Sequence, residues 1–201
     1  MIISWHGFNY FKVQNSHRSI VLNPYSLDKT TKLSKTKADI VIFSDPTKLA
    51  ASKFDKDAFV INSPGEYEAN NVFIYGEKVK GNIVYLIVFE DIKLAFLGEF
   101  GHQELTNGDI ELIEGADILI LPVGGGELTN IKEAMRIINQ VDPRVVIPSC
   151  HAAGSFKLKA ENVSQFIKEF GVRPEEMEKY KIQQKDLPQD DMKLIVLNLK
   201  Q

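Results

Sequence analysis

The chain has one cysteine, Cys150, among 201 residues. A lone thiol excludes an intrachain disulfide framework and any zinc site built from several thiolates. Histidine is nearly as sparse, with only His6, His17, His102 and His151. A long apolar run is missing too: Asp91 and Lys93 interrupt the longest candidate, well short of the roughly 20 residues a membrane-spanning helix needs. Positive charge is not in excess. The formal net charge of −3 gives no basic footprint for nucleic acid or an anionic membrane surface. The opening residues, MIISWHGFNYF, lack the charged start and small-residue cleavage site of a secretory signal. These absences predict a soluble, cytoplasmic protein that engages neither nucleic acid nor membrane.

What is present is a core-forming chain. Its length and its 44% hydrophobic, 25% charged composition suit one domain spanning 1–201, and no linker or repeat divides it. Short apolar runs at 2–5, 10–14 and 19–22 predict an antiparallel meander. Residues 26–37 are rich in Lys, Thr and Ser and predict a mobile loop. The continuous apolar run Ala38–Phe43 predicts a buried parallel strand that ends at Ser44-Asp45-Pro46. Further strands are expected at 59–61, 72–75, 83–89, 94–97, 117–123, 145–148 and 192–199. Pro64-Gly65 favours a tight turn. Thr106 with Asp109, and Asn130 with Glu133, have the spacing of helix N-caps. Ile131, Ala134, Met135, Ile138 and Val141 mark one helical stripe; Val163, Phe166, Ile167 and Phe170, closed by Gly171, mark another.

Several strings in this frame are distinctive: WHGFNYF, PGEYE, LGEFGHQELT, ADILILPVGGG and DPRVVIPSCH. In this order they resemble the metallo-β-lactamase superfamily, in particular its small prokaryotic branch of Zn-dependent hydrolases related to sugar-phosphate lactonases. The resemblance runs from Trp5 to Leu197. It implies an α/β fold, a four-layer αββα sandwich, with a two-zinc site at the ends of its strands. The family's S-H-x-H-x-D-H motif would begin at Ser44, but Asp45, Thr47, Leu49 and Ala50 stand where its ligands belong. Phe8 takes the place of a family histidine, and Asn23 that of an aspartate before Pro24. An inserted loop with a further histidine is absent. Glu99 replaces a bridging aspartate, and Cys150, with His151 one residue on, stands where the last histidine is expected.

Two readings of these residues stay open. In one, Asp45 caps a short helix that starts at Pro46, Glu99 is a solvated or ion-paired remnant, and Cys150 is a small buried hydrophobe. In the other, Asp45, Glu99, Cys150 and His151 hold a residual zinc or another divalent transition metal. A Cys150–His151 nucleophile pair is awkward, because neighbours in extended chain point to opposite sides. Gly124-Gly125-Gly126 lacks the pattern of a phosphate loop. His6 and His17 suit surface or strand-face positions, and His102 a loop near the old site. The expectation is a degenerate family member without catalytic metal or other cofactor, acting as a binding or assembly module for a protein or small-molecule partner or for copies of itself. The alternative is a divergent metal-dependent hydrolase. In the first case Phe8, Leu49 and Ala50 should pack into one dry pocket, with Glu99 turned to solvent or to a cation.

Overall fold

The structure, a computed structural model, describes residues 1–25, 36–52, 54–55, 57–101, 105–152 and 160–199, without the side chains of Ala50 and Ala51. Two mixed β-sheets pack face to face. Strands β1 (Ile2–Trp5), β2 (Phe11–Gln14), β3 (Ser19–Leu22), β4 (Ile40–Ile42) and β5 (Phe59–Ile61) open the chain. They form the smaller sheet in the order β13-β1-β2-β3-β4-β5, with β13 at Lys179–Lys181. Its first strands are antiparallel, whereas β3, β4 and β5 are parallel.

The larger sheet runs β12-β14-β11-β10-β9-β8-β7-β6. Its strands β6 (Gly65–Ala69), β7 (Val72–Val79), β8 (Asn82–Phe89) and β9 (Ile92–Phe96) form an antiparallel meander. The turns Asn70-Asn71, Lys80-Gly81 and Glu90-Asp91 have positive φ at both residues, the geometry of two-residue turns that suits the twist of paired strands. Strands β10 (Ile118–Pro122), β11 (Val145–Ser149), β12 (Glu175–Met177) and β14 (Lys193–Leu197) continue the sheet in parallel from β9.

Alternation decides the layering. Ile74, Tyr85, Ile87, Leu94, Phe96, Ile120 and Ile147 point into the space between the sheets, where they meet Ile3, Trp5, Phe11, Ile20 and Ile42. The opposite side of the larger sheet packs on helices α1 (Asn107–Ile113), α2 (Ile131–Val141) and α3 (Val163–Phe170) through Ala95, Leu119, Leu121 and Val146. Both expected capping boxes form, and Gly171 closes α3 in left-handed geometry. The outer face of the smaller sheet carries a short 3₁₀ helix, Pro46–Ala51, and a third apolar cluster of Tyr10, Val21, Tyr25, Val41 and Phe43. Among the described residues no helix is long and apolar enough to cross a membrane.

The sheets extend beyond the apolar runs. The PGEYE string, where only a turn at Pro64-Gly65 is expected, contributes strand β6; GEKVKG is mostly strand; and β12 and β13 add to the expected strands. Exposed charges at Glu66, Glu68, Glu77 and Lys78 hide strand periodicity at a sheet edge. The expected loop at 26–37 lies, apart from Thr36 and Lys37, outside the described residues.

The sheets meet most tightly where β4 and β9 end. Gly98 has φ +62°, and a Cβ there would lie 2.2 Å from Ser44 Cβ. Gly115 has a similar φ of +66° but open space around it. Left-handed geometry costs an L-residue about 1–2 kcal/mol, and overpacking adds about 1–3 kcal/mol. Gly98→Ala should therefore lose roughly 3 kcal/mol in urea denaturation, while Gly115→Ala loses only about 1–2 kcal/mol. Equal losses would contradict this close approach.

Candidate functional site

The carboxyl ends of β3, β4, β9, β10 and β11 open at one end of the sandwich, where a crevice fold places its chemistry. Asn23, just past β3, has φ 46° and bonds Ser44 twice: its Nδ2 donates to Ser44 Oγ at 2.8 Å, and its Oδ1 accepts from Ser44 N–H at 2.8 Å. The Ser44 carbonyl accepts from Ile83 N–H at 2.8 Å, which ties the smaller sheet to β8. Asn82 then braces the end of β9, donating to the Leu97 carbonyl at 2.8 Å and accepting from Glu99 N–H at 3.2 Å. Across the gap the Tyr25 hydroxyl donates to Glu99 Oε1. Tyr25 itself stacks on Phe43, their ring centroids 6.2 Å apart.

On the other side, Phe8 is buried with φ 50°, and its carbonyl accepts from Trp5 Nε1 and from Cys150 N–H, each at 2.9 Å. Cys150 is buried with φ 57°, so the backbone here is left-handed rather than extended. Its thiol receives the Ser149 hydroxyl at 3.6 Å, and burial raises its pKa well above the ordinary range. Burial thus disfavours its thiolate form. His151 lies against Trp5, ring centroids 4.6 Å apart, with Nδ1 3.3 Å from the Ala152 carbonyl. Burial lowers its pKa and keeps it neutral.

Asp45 is an N-cap: Oδ1 accepts from Thr47 N–H at 2.9 Å and from Thr47 Oγ1 at 2.7 Å, and Oδ2 lies 3.7 Å from Lys48 Nζ. Thr47 is thereby consumed as its partner. Leu49 is half-buried against the Tyr25–Phe43 cluster. Phe8 belongs to none of the three apolar clusters, so a single pocket joining it to Leu49 does not form. The side chain of Ala50, and all of His102, lie outside the described residues. Glu99 does not turn to solvent, although the Lys48 charge lies near enough to act on it. Its carboxylate turns inward to a phenol, because Tyr25 offers a donor at a place water reaches poorly.

Three participants were missed in the sequence: Tyr25, Asn82 and Asn9. Asn23-Pro24-Tyr25 directly after a strand was the available signal for the first. Asn9 is fully buried, and its Nδ2 and Oδ1, with His151 Nε2, are the buried side-chain polar atoms lacking a hydrogen-bond partner among the described residues. Among the described residues the donor set does not fit a two-zinc centre. Asp45 is a cap, Glu99 is held by Tyr25, and among the described residues no three His, Cys, Asp or Glu groups converge to hold a metal. Outside this end, a surface cleft of about 480 Å³ is walled by Lys12, Arg18, Lys37, Asp39 and Asp57 near the β2–β3 turn. It lies at the opposite end of the strands.

Comparison with known proteins places this geometry. Residues 2–150 match the model of a beta-lactamase superfamily domain. A candidate Zn-dependent hydrolase of the metallo-β-lactamase superfamily from Thermotoga maritima superposes with a TM-score of 0.84 at 29% identity, covering 98% of this chain and 99% of its own. A metallo hydrolase from the archaeon Ignicoccus hospitalis shares the fold at 17% identity and a TM-score of 0.62, over 84% of this chain and 89% of its own. A candidate metal-dependent hydrolase from Parabacteroides distasonis does so at 14% and 0.59, over 98% and 93%.

Glu99 has a measurable signature. Desolvation raises its pKa above the ordinary 4.5; the Tyr25 bond and the nearby Lys48 charge oppose this, and Asp45 adds to it. A carboxyl that binds its proton more tightly when folded makes stability fall as pH rises from 4.5 through its folded value. Glu99→Gln keeps an acceptor for Tyr25 and has no charge to desolvate. Its melting temperature relative to the parent should therefore rise as pH increases from about 4.5 and level off above the folded value of Glu99. A difference that stays flat with pH would refute the inward, desolvated carboxylate.

Proposed function

The chain is a member of the metallo-β-lactamase superfamily, and from that premise we propose that it works without a catalytic metal, as a binding or assembly module. A hydrolase of this superfamily uses zinc to generate hydroxide near neutral pH and to polarise the scissile group. The observation that carries the reading is the Tyr25–Glu99 hydrogen bond. It occupies the carboxylate at the bridging position, while Asp45 caps the turn from which the other ligands would come. Leu49 where a ligand belongs adds apolar surface instead of a donor.

A second reading has its own support. His151 Nε2 is a buried, unpartnered nitrogen, since Nδ1 faces the Ala152 carbonyl, and the buried Asn9 has both amide atoms unpartnered. A neutral imidazole with one free nitrogen is a competent metal ligand. The similarity to hydrolases favours this alternative, a divergent metal-dependent hydrolase using Asp45, Glu99, Cys150 and His151.

Metal content separates the two. Protein purified without chelator or metal-affinity tag should contain far less than one zinc, iron or manganese per chain by elemental analysis. A strong chelator should leave its melting temperature unchanged, because no bound metal adds to folding stability. Stoichiometric metal that survives dialysis and is lost in His151→Ala would instead establish the second reading.

A further inference from the structure

Beyond the crevice, the sheets end in edge strands: β13 and β5 on the smaller, β12 and β6 on the larger. An edge strand presents unpaired N–H and C=O groups, and proteins blunt it with shortness, lysine, proline or a bulge. Strands β5, β12 and β13 have three residues each, and β13 adds Lys179 and Lys181. Strand β6 has five, Gly65-Glu66-Tyr67-Glu68-Ala69, without lysine or proline. Its register on β7 is unbroken, from Gly65 opposite Gly76 to Ala69 opposite Val72. Among the described residues, no backbone hydrogen bond outside that ladder reaches β6. The helix layer packs on Val79 and Val84, outside the Val72–Gly76 stretch that β6 pairs with, so the edge stays clear of it.

The two sides of β6 differ in chemistry. Glu66 and Glu68 are exposed on the outer face, opposite Tyr75 and Phe73 of β7. None of the ion pairs among the described residues uses either of them. Tyr67 points the other way, to the margin of the inter-sheet core. There its ring meets Phe59 of β5 edge-on, centroids 6.4 Å apart, and Phe59 is 44% exposed. The edge thus combines unpaired backbone groups, two carboxylates on one side and an uncovered aromatic ring on the other.

We infer that β6 is a docking edge for an extended segment of a partner protein in which basic and apolar residues alternate, added to the larger sheet as a further strand. In such an addition main-chain hydrogen bonds supply affinity, and alternate side chains supply specificity. Basic residues of the added strand meet Glu66 and Glu68 on the outer face. The apolar residue between them packs on Tyr67 and the open side of Phe59. A second copy does not suit β6. Antiparallel self-pairing about Tyr67 would set Glu66 against Glu68 of the other copy, twice over, and like charges directly opposite are destabilising. The two carboxylates therefore reject the edge's own kind and select a basic strand. The inference does not depend on whether the crevice holds a metal.

Fluorescence anisotropy on the parent protein tests it, with the labelled peptide SKVKVKS as probe and SKKKVVS as a control of equal composition. SKVKVKS should bind saturably. SKKKVVS should bind about tenfold more weakly, because its lysines and valines cannot segregate to the two faces of a strand. Backbone pairing is read by N-methylating the probe at its valines in one peptide and at its lysines in another. Only alternate N–H groups of a strand face its neighbour, so one peptide should lose binding and the other keep it. Glu66→Lys/Glu68→Lys, shown to fold by its melting curve, should lose SKVKVKS and bind SEVEVES instead. No saturable binding of SKVKVKS overturns the inference. So do equal affinities for SKVKVKS and SKKKVVS, or full binding by both N-methylated peptides. A parent dimer that SKVKVKS dissociates in sedimentation velocity would assign the edge to a second copy and overturn it as well.

Discussion

The structure depends on the contact between the ends of β4 and β9. There Ser44 lies against the bare Cα of Gly98, and no other residue type leaves that room. Once those strand ends touch, the neighbouring polar groups have little choice. Asn23 saturates Ser44, Asn82 saturates the Leu97 carbonyl and the Glu99 amide, and Tyr25 reaches across to the Glu99 carboxylate. Each of these donors finds an acceptor, where an orphan would cost about 1–3 kcal/mol. The result is a polar seam between two apolar clusters, which joins the sheets where β4 and β9 end.

That seam explains how the crevice can be stable with its donors redirected inward. Asp45 contributes by capping, Tyr25 by donating, and Phe8 by offering its carbonyl to Trp5 and Cys150. Asn9 and His151 are the exceptions, with buried polar atoms unpaired among the described residues. They keep the second reading alive, since a ligand would satisfy them at little further cost to the fold.

The fold was legible in the sequence because buried parallel strands are continuous apolar runs. Asp117–Val123 and Val145–Pro148 could be read directly, as could the capped helix of Ile131–Val141. Edge strands were not, since β6 alternates Glu66 and Glu68 with Tyr67 and resembles a loop. The capping role of Asp45 followed from local chemistry, Asp before Pro, and the burial of Cys150 from its type. The destination of Glu99 could not be read, because its partner Tyr25 lies 74 positions away in the chain. Nor could the left-handed backbone at Phe8 and Cys150, which depends on a hydrogen bond between two turns distant in sequence.

The central claim, that the crevice end is held together by its own hydrogen bonds, is tested most directly by native-state amide exchange. The amides to follow are Ser44, bonded to Asn23; Ile83, bonded to Ser44; and Glu99, bonded to Asn82. The account predicts that, in chelator, the Ser44 and Ile83 amides exchange as slowly as those of β10 and β11, and that added zinc leaves all three unchanged. Fast exchange in chelator that zinc slows would contradict it, because the strand ends would then be ordered by a metal and not by the seam.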